Sequence, residues 1–351
     1  MIDRIRDYLS GAVSSGIFPG CAAGVIIKGR TEVFTAGRLT YDQKSHAVMK
    51  DTVYDAASLT KAVPVSCLAL KLIESGRLSR SEHLVKYVPE FCGPYRDLIT
   101  VDHLLTHTID FNFRLSDVKN EGPDGIMRAI FNAPMRFKPG EKFCYANATS
   151  ILLGLLLERC TGKKLDILAA ETFFEPLAMS STFFRNDSIP KEKIAPTEID
   201  PWRGGEVRGE VHDESAWVMR PGVVGSAGLF STAPDILKFI SMLLEGGELD
   251  GKRFFRPETI QMMHTNQLSS GTGAHTGLGW ELDQESFMGK NRSGSAFGKT
   301  GFTGCAIVID PEKRAGFVLM CNHIYPRRRE NRDQINRIRS GLAEIVFSVS
   351  G

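Results

Sequence analysis

Apolar residues recur at Ile2, Ile5, Leu9 and Val13, the spacing of a helix that buries one face, so a helix is expected over residues 2–13. Residues 21–27 and 31–36 are short β-rich runs separated by Lys28-Gly29-Arg30, and they predict a hairpin. Further on, Ala62, Val63, Val65, Leu68, Ala69, Leu70, Leu72 and Ile73 leave almost no polar face. The helix expected to start at Ser58 should therefore run through the protein's centre. The run Ile151-Leu152-Leu153-Gly154-Leu155-Leu156-Leu157 predicts a second buried helix, and Thr232-Ala233-Pro234-Asp235 has the cap and first-turn acid of a third. Strand signals return at Cys305-Ala306-Ile307-Val308-Ile309 and Gly316-Phe317-Val318-Leu319-Met320. The turn Asp310-Pro311-Glu312-Lys313 joins them as an antiparallel hairpin, with Lys299-Thr300-Gly301 expected on its first strand. Ile335, Ile338, Leu342, Ile345 and Val346 mark a closing amphipathic helix over residues 333–349.

Strands near both termini with helices between them predict an α+β fold whose sheet is closed by the two chain ends. The whole of residues 1–351 is read as one domain: an α/β lobe from residues 1–57 and 245–351, and an inserted, mostly helical lobe over 58–244, with a site in the cleft between them. The 351 residues, 42% hydrophobic and 24% charged, suffice for a large core. A net charge of +2 argues against a nucleic-acid surface, and Arg327-Arg328-Arg329 is expected to be a solvated cluster. Seven cysteines without a C-x-x-C pair indicate neither a disulfide framework nor a zinc ribbon. Cys67, Cys160, Cys305 and Cys321 lie in apolar runs and read as core residues, and Cys144 reads as a buried structural thiol. The first 27 residues contain Asp3, Arg4, Arg6 and Asp7 and no long apolar stretch, and no run reaches the ~18 apolar residues of a membrane span. The expectation is a cytoplasmic protein, or an exported one whose leader lies outside this sequence.

The candidate chemistry begins at Ser58-Leu59-Thr60-Lys61, because a hydroxyl and an amine three positions apart on a helix share one face. Alone, S-x-x-K is equally a serine cap followed by a lysine that reaches to the surface. Two further motifs follow in order. Tyr145-Ala146-Asn147 stands after Lys138-Pro139-Gly140-Glu141 at the mouth of the second helix, and Lys299-Thr300-Gly301 stands beside the late strands. The ordered set S-x-x-K, Y-x-N, K-T-G resembles that of class C β-lactamases, low-molecular-weight DD-peptidases and the related serine esterases. Leu104-Leu105-Thr106-His107-Thr108, Val211-His212-Asp213-Glu214 and Gly228-Leu229-Phe230-Ser231-Thr232-Ala233 are similar to further segments of that family, so the resemblance runs from about residue 15 to 345.

The resemblance implies a β-lactamase/transpeptidase-like fold and a serine hydrolase that forms an acyl-enzyme on an ester, lactam or D-amino-acid peptide. Ser58 is the expected nucleophile, with Lys61 and Tyr145 as the proton-handling residues. Free tyrosine and lysine have pKa values near ~10 and ~10.4, so either needs a shift of about three units, roughly 4 kcal/mol, to act as a base at pH 7. Clustering Lys61, Tyr145 and Lys299 lets one proton be shared, and the residues alone do not assign it to one of them. Asn147 is expected to donate to a substrate amide or to orient Lys61. Lys299, with Thr300 and Gly301, is expected to hold a substrate carboxylate. By resemblance, the backbone N–H groups of Ser58 and Phe302 form the oxyanion hole.

No metal or cofactor is called for, and the expected partner is a small molecule or peptide. His103 and His107, four residues apart, lack the acid of H-E-x-x-H and read as a structural pair on an apolar helix. His275 beside Gly271-Thr272-Gly273-Ala274 is weak evidence for a phosphate loop, and there is no G-x-S-x-G elbow. The alternative from another class is a penicillin-recognising sensor that acylates without turnover. Tyr145 argues against it, since turnover needs a base for deacylation. Oligomeric state is not legible.

Overall fold

The computed structural model describes residues 1–185, 188–329 and 332–348. Helix α1 (Ile2–Ser14) opens the chain and buries Ile5, Leu9 and Ala12, while Ile2 stays exposed. Strands β1 (Gly20–Ile27) and β2 (Arg30–Gly37) form the expected hairpin. Its turn is only Lys28-Gly29, both at positive φ, the conformation whose twist matches a two-residue hairpin. Helices α2 (Cys67–Glu74), α3 (Asn147–Thr161) and α4 (Ala233–Leu244) follow. The chain then returns to strands β3 (Glu281–Leu282), β4 (Phe297–Thr300), β5 (Ala306–Asp310) and β6 (Ala315–Cys321), and ends with α5 (Asp333–Ser348). Val349, the last residue expected in that helix, lies outside the described residues.

The strands form one sheet in the order β2-β1-β6-β5-β4-β3, antiparallel throughout. The two chain ends meet at its centre, where Cys21 lies opposite Cys321 and Ile27 opposite Ala315. Alternation along the strands divides the core in two. Ala22, Ile26, Ile307, Ile309, Val318 and Met320 face α4 through Leu237 and Ile240. Ala23, Val25, Val308, Phe317 and Leu319 face α1 and α5 through Ile5, Leu9, Leu342 and Phe347. Covered on both faces, β1, β5 and β6 read as continuous apolar runs rather than as alternating ones.

Two expectations are corrected. Lys299 and Thr300 are not on the first strand of the late hairpin. They occupy the separate strand β4, which pairs with β5 with Lys299 opposite Ile307, because Gly301 to Gly304 turn the chain back before Cys305. The central helix is also interrupted: Val63 has φ −114° and ψ 108° before Pro64, and regular helix resumes only at Cys67. Proline clashes with a helical conformation of its predecessor and lacks the N–H of the helix ladder, so the apolar run does not form a single rod. Helix α4 lies on the sheet, although the lobe boundary expected at residue 245 assigns it to the helical lobe. Among the described residues no helix is long and apolar enough to cross a membrane.

Gly24 shares its face with Ala22 and Ile26, and a β-carbon there would lie 2.6 Å from Leu237 Cγ. The spacing between α4 and the sheet therefore depends on a missing side chain. Gly24→Val should cost about 1–3 kcal/mol through overpacking and lower the urea midpoint. Adding Leu237→Ala to that variant should recover part of the loss. An unchanged midpoint in the single variant would show that α4 does not sit at this spacing.

Candidate active site

The turn that carries Ser58 is built by its neighbours. Tyr54-Asp55 pairs with Phe230-Ser231, after which Ala57 takes a left-handed conformation at φ +47°. The N–H groups of Leu59, Thr60 and Lys61 then donate to the carbonyls of Ala56, Ala57 and Ser58 at 3.1, 3.1 and 3.2 Å, starting the helical turns directly behind Ser58. Asp55 holds this turn in place. Its Oδ1 accepts the Ala57 N–H at 2.8 Å, its Oδ2 accepts the His212 N–H at 2.7 Å, and its carbonyl accepts Thr303 Oγ1 at 2.8 Å. One buried residue thus ties the Ser58 turn to the V-H-D-E segment and to the turn after K-T-G. Burial outweighs the two N–H bonds and raises the pKa of its carboxyl.

Lys61 Nζ lies 2.8 Å from Ser58 Oγ and 2.6 Å from the Ser226 carbonyl, so the i, i+3 pairing survives although the helix breaks behind it. Tyr145 stands one residue before the Ala146 N-cap of α3, and its ring centroid is 5.3 Å from Lys61 Nζ and 4.6 Å from Lys299 Nζ. The ring is 45% exposed on its cleft side, whereas each lysine is 1% exposed. The protein packed around the phenol would by itself raise its pKa. The Lys61 and Lys299 ammonium groups, helped by an interaction with the Ser58 hydroxyl, outweigh that and hold it below the ordinary tyrosine value.

Lys299 is itself compensated, because its Nζ donates to Glu281 Oε1 at 2.8 Å. Burial would lower its pKa, but Glu281 and Tyr145 raise it, so the group stays a cation. An ammonium with a carboxylate already bound is poorly placed to hold a second one. Glu281, within Gly279-Trp280-Glu281-Leu282, carried no motif signal.

The turn after Thr300 is fixed from the other end of the chain. Arg339, 3% exposed on α5, donates from Nη2 to the carbonyls of Gly301 (2.8 Å) and Cys305 (3.0 Å) and from Nε to that of Gly304 (3.1 Å). Gly301 brings this turn against the segment that leads into Ser58, since a β-carbon there would lie 2.6 Å from the Ala56 carbonyl oxygen. Phe302 follows on the cleft wall, its ring stacked on His212 at 5.6 Å. Among the described residues neither the Ser58 nor the Phe302 N–H donates to a backbone carbonyl. Ser58, Tyr145, Asn147, Thr300 and Phe302 all line one cleft of about 640 Å³. Asn147 is the first residue of α3, and its Nδ2 donates to Asp213 Oδ2 at 2.9 Å.

Other expectations are revised. His103 and His107 do not share a helix face, because the helix Val101–Leu105 ends before His107, which turns away at φ +52°. His103 Nδ1 accepts the Thr100 N–H at 3.1 Å and caps that helix. The His107 ring lies 4.8 Å from that of Tyr145, and burial, then Lys299 and Lys61, hold its pKa well below the usual imidazole value. It is a neutral neighbour of the site. Arg328 is not simply solvated, since it bridges Glu198 (2.8 Å) and Glu214 (2.7 Å) at the cleft edge. Cys67, Cys305 and Cys321 are buried as expected, whereas Cys144 and Cys160 are only partly covered. His275 lines the cleft and pairs with Asp283 at 3.3 Å. Asp55, Asp213, Glu281 and Arg339 escaped the sequence reading. Only Asp213 lay in a segment singled out there, and its partner Asn147 is 66 residues away along the chain.

A profile of the family described as Beta-lactamase matches residues 5–340. A protein of Escherichia coli (strain K12) named as a D-alanyl-D-alanine carboxypeptidase is 30% identical over 326 residues, 84% of this chain and 74% of that protein. An N-acetylmuramyl-L-alanine amidase of Bacillus subtilis (strain 168) is 28% identical over 359 residues, 91% of this chain and 80% of the relative. A solved structure described as a class C beta lactamase superposes with a TM-score of 0.77 at 19% identity, covering 98% of each chain, which is a likeness of fold.

The ion pairs at the cleft edge give the site a pH signature. Burial would raise the Glu198 pKa, but His212 Nε2 at 2.7 Å and Arg328 Nε at 2.8 Å lower it from 4.5 to about 2. The unfolded chain takes up this proton first as pH falls. The stabilisation, on the order of 3 kcal/mol, is therefore complete above about pH 5 and lost progressively toward pH 2. Glu198→Gln should flatten the plot of urea midpoint against pH in that window. A slope identical to wild type would show that this carboxylate is not held by its partners.

Proposed function

This chain belongs to the Beta-lactamase family, and from that premise we propose that it is a serine hydrolase that cleaves an amide or ester carbonyl through a Ser58 acyl-enzyme. The observation that carries the reading is the 2.8 Å contact between Lys61 Nζ and Ser58 Oγ beside a phenol flanked by two ammonium groups. Lys61 donates to Oγ, so the serine's own hydrogen is directed to the Tyr145 oxygen. Oγ adds to the substrate carbonyl as that hydrogen passes to Tyr145, and the N–H groups of Ser58 and Phe302 receive the oxyanion. Loss of one such donor typically costs ~10²–10³ in rate. Tyr145 then returns the proton to the departing amine or alcohol. In the second half-reaction a water molecule gives a proton to Tyr145 and attacks the acyl carbonyl, and as the bond to Oγ breaks Tyr145 passes that proton to Oγ, which frees the acid and restores Ser58. Lys299, paired with Glu281, serves this proton network by its positive charge. Asn147, Thr300 and Gly301 flank the bound substrate.

The carboxypeptidase and amidase names of the relatives describe hydrolysis of amide linkages, and a cleft of about 640 Å³ is of the size that takes small molecules or peptide fragments. Both support an amide or peptide substrate. The test is intact-mass spectrometry with a penicillin, a nitrophenyl ester and a D-Ala-D-Ala peptide, alongside a fluorophosphonate. Wild type should be labelled by the fluorophosphonate and Ser58→Ala should not. Tyr145→Phe should slow both half-reactions by roughly 10²–10⁴ with little change in Tm, and any adduct should persist. Labelling that survives Ser58→Ala overturns the nucleophile. An acyl adduct that persists in wild type would instead make the protein a sensor.

Lys299→Ala should depress kcat for a neutral nitrophenyl ester and for an acidic substrate to a similar degree, since the charge acts on Tyr145 in both. A rise in KM confined to the acidic substrate would return Lys299 to the role of carboxylate reader.

A further inference from the structure

The segment Val211-His212-Asp213-Glu214 bears on substrate choice through one hydrogen bond, an inference that rests on the serine-hydrolase reading. Asp213 is held from several directions. It caps the short helix Glu214–Val218, with Oδ1 accepting the Ala216 N–H at 2.9 Å and the Ser215 hydroxyl at 2.5 Å, and the preceding His212 N–H is anchored on Asp55 at 2.7 Å. Its other oxygen, Oδ2, is thereby aimed at Asn147 and lies 2.9 Å from Nδ2. A carboxylate accepts hydrogen bonds and donates none, so the Asn147 amide must present its NH₂ to Asp213. Its carbonyl oxygen is then turned away from Asp213. Among the described residues no protein donor reaches Asn147 Oδ1, and the residue lines the cleft with Ser58, Tyr145 and Thr300. The sequence expectation had Asn147 donating to a substrate amide or orienting Lys61. The aspartate takes up one of its two N–H groups, and among the described residues the carbonyl oxygen is left without a protein donor.

We propose that Asp213 is a positioning residue that turns the Asn147 carbonyl oxygen into the cleft and so selects substrates bearing an N–H beside the scissile carbonyl, as an acylamino compound or peptide does. A substrate with an ester oxygen there offers a lone pair where the site holds another, and both acceptors lose their partner. A hydrogen bond of this kind corresponds to roughly a tenfold preference. A cap alone would stabilise the short helix equally whatever the substrate, so the preference separates positioning from a structural role.

The experiment compares two p-nitrophenyl esters with the same leaving group, N-benzoylglycyl and O-benzoylglycolyl, which differ only by N–H against O at the position read. The wild-type enzyme should favour the N–H ester by about tenfold or more in kcat/KM. Asp213→Asn preserves the helix cap, since asparagine also caps, but offers a donor as well as an acceptor, so Asn147 can turn either way. The preference should fall to within about threefold. Asn147→Ala removes the reader and should collapse the ratio likewise, which keeps the proposal testable if the Asp213 variant misfolds. A wild-type ratio near one, or a ratio unchanged in both variants, overturns it. Equal hydrolysis of both esters leaves the serine-hydrolase reading standing. Failure to hydrolyse either, with Ser58 unlabelled by fluorophosphonate, removes that reading and this one together.

Discussion

Two lysine ammonium groups, each 1% exposed, flank one phenol, and much of the surrounding architecture compensates them. An unpaired buried charge costs several kcal/mol, so each ammonium needs partners inside the protein. Lys61 has the Ser58 hydroxyl and the Ser226 carbonyl, and Lys299 has Glu281. The unequal pairing is informative. Lys299 is balanced by a full carboxylate and stays charged, while Lys61 is met by neutral oxygens. The field of both falls on Tyr145, which lacks a carboxylate of its own and is brought below its usual pKa. His107, lying against the same ring, is held neutral by burial and by the same two cations, so no third positive charge enters the cluster.

The second constraint is that Ser58, Tyr145 and Phe302 come from distant parts of the chain. Asp55 receives backbone N–H groups from Ala57 and His212 and, through its carbonyl, the hydroxyl of Thr303. Arg339 secures the carbonyls of the turn that carries Phe302, from a helix on the far side of the sheet. Side chains that satisfy backbone groups in this way hold loops as firmly as strand pairing holds a sheet, because each broken bond would leave a buried polar group without a partner. The sheet brings β1 and β6 from opposite chain ends together, and these two residues carry that rigidity to the turns that hold Ser58 and Phe302. The V-H-D-E segment connects to Asp55 through His212 and to Asn147 through Asp213, so the Asn147 amide and the Ser58 turn belong to one hydrogen-bonded unit.

Much of the fold was legible from local pattern. Helical spacing at Ile5 and Leu9, the hairpin around Gly29, the apolar strands of the C-terminal third and the cap at Thr232 all appear near the expected positions, because each follows from a period or a turn preference of a few neighbouring residues. Pro64 is the instructive miss. The apolar run around it suggested one rod, but the missing N–H and the conformation forced on Val63 were stronger than the run. Lys299 and Thr300 were expected on the following hairpin, and the strand they form instead is specified by a turn held from Arg339, 34 residues beyond Cys305.

The sequence by itself determined the identity and order of Ser58, Lys61, Tyr145, Asn147 and Lys299, since a three-residue helical spacing and short motifs are local and survive without knowledge of neighbours. The tertiary structure alone decided what each of those groups meets: that Lys299 is paired with Glu281, that the Asn147 amide turns its donor to Asp213, and that Arg328 bridges two acids rather than standing in solvent. The reason is physical. A side chain's charge state and hydrogen-bond polarity are set by whatever lies within a few ångströms, and in these cases the partner comes from 18 to 130 residues away along the chain.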